Sequence, residues 1–135
     1  MCPDDSKAWL GSNNRVEIID IDTASIIDDI NLISLFTAGD IGAACPYVIA
    51  YSDDGSTVHV ANFDANNYMI FDAATRELLH KMNVGFQPTD IVISPDGNEA
   101  YVLNSDSESI SVINTITGEV VDTISLLILN PPPPK

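Results

Sequence analysis

The segment Ile91-Val-Ile-Ser-Pro-Asp-Gly-Asn-Glu-Ala-Tyr-Val-Leu-Asn104 has near copies of itself upstream in the chain. A unit repeated at a period of this length buries its apolar faces against its own neighbours, so the chain is constrained to an architecture of stacked copies. Three copies align. In the third, Ala100-Tyr-Val-Leu-Asn104 leads to Ile110-Ser-Val-Ile-Asn114 and Thr117-Gly-Glu-Val-Val-Asp-Thr-Ile124. The second runs Val58-His-Val-Ala-Asn62, Tyr68-Met-Ile-Phe-Asp72 and Thr75-Arg-Glu-Leu-Leu-His-Lys-Met82. The first runs Ala8-Trp-Leu-Gly-Ser12, Val16-Glu-Ile-Ile-Asp20 and Thr23-Ala-Ser-Ile-Ile-Asp-Asp-Ile30. Ala100 lies 42 residues beyond Val58, and Val58 lies 50 beyond Ala8. The excess reflects an insertion around residues 34–44, partly offset by a shorter hairpin at residues 13–15.

Each unit reads as four short strands, placed in the third copy at residues 91–94, 101–104, 110–114 and 119–124. These are runs rich in β-branched residues, separated by turn formers. Ser94-Pro95-Asp96-Gly97 and Ser52-Asp53-Asp54-Gly55 are hairpin turns: Asp tolerates the bridge or left-handed backbone, and Gly supplies positive φ without a Cβ clash. The apolar pattern is partly alternating and partly continuous, as in strands covered on both faces. No segment keeps a helical period over three turns. The fold class expected is therefore all-β, built of four-stranded antiparallel units of the size of a β-propeller blade.

The unit resembles the YVTN-type β-propeller repeat. Pro88, Ser94-Pro-Asp-Gly97, Ala100-Tyr101-Val-Leu-Asn104 and Val112-Ile-Asn-Thr-Ile-Thr-Gly118 follow its pattern closely. Asn62 and Asn104 are its recurring asparagine. The second copy departs at His59 and Arg76, the first at Trp9, Ser12 and Ala24. The resemblance covers nearly the whole chain, but its residues are architectural and specify no chemistry. It implies an extracellular, cell-surface or periplasmic setting and binding roles. Similar propellers include archaeal surface-layer proteins, lactonase-like enzymes and the haem- or quinone-associated domains of periplasmic oxidoreductases. The resemblance thus favours a non-catalytic scaffold or recognition module, with a fragment of a propeller enzyme as the alternative.

The same alignment divides the chain into blades at about 1–44, 45–86 and 87–130, with a proline-rich tail at 131–135. Cys2-Pro-Asp-Asp overlays Ser94-Pro-Asp-Gly97, so the first blade is expected to lack its first strand. Prolines 131–134 oppose any further strand, because proline cannot donate to a ladder. Eleven strands follow, arranged as an open arc. Closed propellers have about four to eight blades, so the expectation is a piece of a larger ring, or completion by a protein partner or by self-association. Two copies give six blades with two-fold symmetry. Leu126, Leu127, Ile128 and Leu129 offer a strand that could enter another subunit; the alternative is an inter-blade connection over the core edge.

Twenty acids, fifteen of them Asp, stand against five bases, for a net charge of −15. Such a surface repels phosphate backbones and anionic bilayers, which argues against nucleic acid and membrane partners. No run approaches transmembrane length, and no charged n-region precedes an apolar h-region. Hydrophobic residues make up 45% of the chain, too many for general disorder.

Turns account for much of the Asp, including Asp53, Asp54, Asp64, Asp96 and Asp106. The adjacent pairs Asp28–Asp29 and Asp53–Asp54, with Asp20 and Asp22, raise a weak case for Ca²⁺, but none has the spacing of a calcium loop. No other cofactor is implied. Cys2 and Cys45 form no Cys-x-x-Cys pair; an exported disulfide and two separate thiols both fit. His59 takes the position of Trp9 and Tyr101 and is expected to pack as those rings do. His80 lies in an outer strand and is expected to be exposed. No nucleophile elbow or phosphate loop is present, so no catalytic residue is assigned.

Overall fold

A computed structural model describes residues 7–12, 14–35 and 45–126. They form β1 (Lys7–Ser12), β2 (Arg15–Asp20), β3 (Ser25–Asn31), a short 3₁₀ turn (Leu32–Leu35), β4 (Pro46–Tyr51), β5 (Thr57–Asn62), β6 (Asn67–Asp72), β7 (Leu78–Asn83), β8 (Pro88–Ile93), β9 (Glu99–Asn104), β10 (Ser109–Asn114) and β11 (Glu119–Ser125). Three antiparallel meanders result, β1-β2-β3, β4-β5-β6-β7 and β8-β9-β10-β11. The eleven strands sit in the order the repeat predicts. The 3₁₀ turn is an addition that no strand pattern announces; it brings Leu32 into the core, with its N–H bonded to Asn14 O at 2.8 Å.

Local turn chemistry explains the hairpins. At both β4–β5 and β8–β9 a serine hydroxyl donates to the aspartate two residues on, Ser52 to Asp54 at 2.8 Å and Ser94 to Asp96 at 2.7 Å. The same serines accept from Thr57 N and Glu99 N. Gly55 and Gly97 close the turns at φ 74° and 77°, where a side chain is strained. At the last turn of each blade the side chain of Asp20, Asp72 or Asn114 accepts from backbone N–H groups two or three residues on in that same turn. The residue that closes this turn has positive φ whatever its type: Ala24 54°, Arg76 65°, Gly118 73°.

Register is repeated too. A bulge shifts the pairing at Ile18/Ile19, Ile70/Phe71 and Val112/Ile113, and another follows Pro46 and Pro88. Bulges of this kind increase local twist. Both prolines open their strands, where no ladder donor is lost.

The core lies between blades. Strand side chains alternate across a sheet, so β5 and β6 serve two cores. Val58, Val60, Met69 and Phe71 face the first blade and pack with Trp9, Val16, Ile18 and Leu32. Ala61, Tyr68 and Ile70 face the third and pack with Ile91, Ala100, Val102 and Ile113. Trp9 and Phe71 meet with ring centroids 5.9 Å apart. Full burial of each such side chain contributes about 1.5–3 kcal/mol, so these seams supply most of the apolar stabilisation. The inner strands β4 and β8 pack together while the outer strands β7 and β11 barely touch. The blades fan outward.

Candidate functional site

Among the described residues the middle blade is covered on both sides, whereas the third is covered on one. Its other face carries Asp90, Val92, Tyr101, Leu103 and Ile110, which line an apolar cleft of about 220 Å³. Shifted by the repeat of 42 residues, these positions are Val48, Ala50, His59, Ala61 and Tyr68. That set seals the seam between the second and third blades: His59, Ala61 and Tyr68 are fully buried, and Val48 and Ala50 pack beside them. Among the described residues nothing covers the equivalent face of the third blade. Val92 there is 60% exposed. The described residues thus present an inter-blade surface on which none of them packs as a further blade.

His59 and Tyr101 show what covering does. His59 Nδ1 meets Tyr68 OH at 2.5 Å, and its Nε2 meets Thr57 Oγ1 at 3.2 Å. Desolvation holds the imidazole neutral, with a pKa lowered to about 4, and pushes the Tyr68 phenol well above its usual value. Both nitrogens are engaged and no solvent reaches the ring, so His59 is a structural group. Tyr101, its counterpart, is half-exposed and points its hydroxyl towards Glu99 Oε2, 3.5 Å away. His80 is half-buried against Gly118 rather than exposed, a difference from the sequence expectation caused by the neighbouring blade.

The remaining motif residues are placed as follows. Pro95 is exposed in its turn; Asn62 and Asn104 are fully buried. Asn62 Nδ2 donates to Asn67 Oδ1 at 2.6 Å, and Asn104 Nδ2 reaches Ser111 Oγ at 2.9 Å. Asp54, Asp72 and Asp96 have pKa values lowered chiefly by backbone N–H donors, from Ser56, Thr75 and Asn98 respectively. Asp28 and Asp29 do not converge on a cation site. Arg76 Nη1 binds Asp28 at 3.0 Å and Arg15 Nη1 binds Asp29 at 2.7 Å. Among the described residues no three His, Cys, Asp or Glu side chains come together as a metal site. Cys45 carries a free thiol, its pKa raised by burial and then by the charge of Asp64. Leu126 N donates to Glu108 O at 2.8 Å; Leu127, Ile128, Leu129 and Cys2 lie outside the described residues. No helix among the described residues is long and apolar enough to cross a membrane.

A second groove, about 160 Å³, lies where the β5–β6 and β9–β10 turns meet the connection between blades, lined by Phe63, Asp64, Asn66, Phe86, Gln87 and Asp106. Asp64 and Asp106 sit in turns, as their sequence context predicts, whereas nothing local in the sequence marks Phe86, which is 60% exposed. Nor does anything local mark Asp90, Val92, Leu103 and Ile110. Comparing each with its counterpart one blade earlier is the signal that would have found them.

No protein-family model matches the chain, and a search of curated proteins returned no relative. Solved structures do resemble it. Kuenenia stuttgartiensis hydrazine synthase superposes with a TM-score of 0.76 at 26% identity, over 91% of this chain and 33% of that one. The WD40 repeats of RRP9 give 0.77 at 15% identity, over 93% and 37%. Dihydro-heme d1 dehydrogenase NirN gives 0.68 at 18%, over 87% and 24%. The chain spans between 24% and 37% of the length of each. With three stacked antiparallel meanders, an inter-blade core and these likenesses, the chain is an all-β protein of propeller blades, a partial β-propeller.

Proposed function

We propose that this chain is a non-catalytic β-propeller scaffold whose open third-blade face takes up a further blade, and that it acts by binding protein. The observation that carries this reading is the position-by-position correspondence between the cleft-lining set Asp90, Val92, Tyr101, Leu103 and Ile110 and the set that seals the preceding seam. An apolar surface of this shape stays out of water when it is part of an interface. The blade pattern resembles YVTN-type repeats, and the acidic composition suits an exported or cell-surface setting; both belong to this proposal.

A second reading has its own support. The likeness to hydrazine synthase extends over 91% of the chain, which favours a segment of a propeller enzyme whose chemistry lies in other blades.

Sedimentation velocity on the full chain tests the first reading. Association through the open face is abolished by Val92→Glu and unaffected by Phe86→Ala in the turn-end groove. A chain that remains monomeric at high concentration and binds no hydrophobic dye refutes it, as does association that depends on Phe86 and not on Val92.

A further inference from the structure

Successive blades meet at one recurrent outer position, and the partners there are chemically matched. At the first junction Arg76, in the β6–β7 turn, donates from Nη1 to Asp28 Oδ2 on β3 at 3.0 Å. At the second, Gly118 holds the turn position and His80 the strand position. A Cβ on Gly118 would lie 2.5 Å from His80 Cγ and 2.9 Å from His80 Cβ, so the imidazole rests directly on a residue without a side chain. The next member of the strand column is Asp122 on β11, beside the open face.

Asp122 reproduces Asp28 in detail. Asp29 N donates to Asp28 Oδ1 at 2.8 Å, and Thr123 N donates to Asp122 Oδ1 at 2.8 Å. The backbone fixes one carboxylate oxygen in each case and leaves Oδ2 for a second donor. Asp28 Oδ2 has that donor in Arg76; no lysine or arginine of the described residues pairs with Asp122.

We infer that Asp122 is the acceptor half of a charge key, and that the open face receives a four-stranded propeller blade carrying arginine or lysine at the turn position of Arg76. This rests on the docking role of the open face and adds which blade that face accepts. A basic residue there repeats the first junction. A second copy of this chain brings Ala24 to the same place and adds another net charge of −15, so it fits less well. Pairing of this kind contributes to choice of partner and register more than to raw affinity.

The test replaces residues 129–135 with a second copy of residues 45–84, keeping every described residue and continuing the 42-residue register. The appended blade carries its own arginine at the key position. Val92→Cys, with Cys2, Cys45 and the appended copy of Cys45 all changed to serine, reports docking through its rate of thiol labelling. Labelling is expected to slow on extension. Changing the appended arginine to glycine should then cost about two- to fivefold of that protection, and nothing further when Asp122→Asn is already present. Protection that falls equally with and without Asp122 overturns the key and leaves the docking reading intact. Absence of protection in every form overturns both. A measurement without any extension checks the charge basis: Asp28→Arg combined with Arg76→Asp should recover stability lost in each single variant, and failure to recover it overturns the key.

Discussion

Substituting alanine for Gly118 and for Gly97 separates backbone strain from packing between blades. Both glycines have positive φ, 73° and 77°. A Cβ at position 97 meets nothing within 4 Å, while one at position 118 comes within 3 Å of three His80 atoms, including its Cβ. Gly97→Ala therefore isolates the left-handed penalty, about 1 kcal/mol. Gly118→Ala adds forced overpacking of about 1–3 kcal/mol, for a total near 3 kcal/mol. His80 Cβ cannot swing away as a side-chain tip could, so relief requires the blades to part. Urea unfolding followed by fluorescence of Trp9 gives each midpoint and slope. The double variant His80→Gly/Gly118→Ala, which removes the ring and its Cβ together, should differ from His80→Gly alone by only about the loss seen for Gly97→Ala. Equal losses at positions 97 and 118, or no recovery on removing the ring, would refute the packing of Gly118 on His80.

The pH dependence has two stages. His59 has a folded pKa near 4, below the usual value of about 6.5, so the unfolded chain binds the proton first. Its stabilisation is complete above pH 6.5 and is lost as pH falls towards 4, by roughly 3 kcal/mol at most; His59→Gln should remove that slope. Asp54, Asp72 and Asp96 have lowered folded values, so their contribution is present above the ordinary carboxylate range and fades only in stronger acid. Tyr68→Phe strands His59 Nδ1 and should cost about 1–3 kcal/mol in thermal unfolding. Asp29→Ala breaks an ion pair about half-exposed on each side and should change stability by less than about 0.5 kcal/mol. Gly11→Ala should loosen the first blade, because its Cβ would stand 2.6 Å from Pro46 O; amide exchange in β1 and β2 would reveal it.

Strand order, hairpin turns and blade size were legible in the sequence because each is a local matter. Ser94, Asp96 and Gly97 close their turn with one another, and within each blade consecutive strands pair. The candidate site was less legible. Arg76 and Ala24 stand out in the alignment as departures from glycine, yet nothing local says that position 76 faces Asp28, 48 residues away. Tyr101 looks the same whether or not a blade covers it.

By itself, then, the sequence determined a stack of antiparallel meanders with fixed register, since backbone pairing and turn closure depend on residues a few positions apart. Only the tertiary structure decided what equal positions do: His59 is sealed and held neutral while Tyr101 lines an open cleft, and among the described residues Asp28 has an arginine partner while Asp122 has none. The reason is physical. The ladder and turn hydrogen bonds that define a blade's hairpins are made within it, but the dielectric and the packing around each side chain are set by the next blade, some forty residues along the chain or beyond.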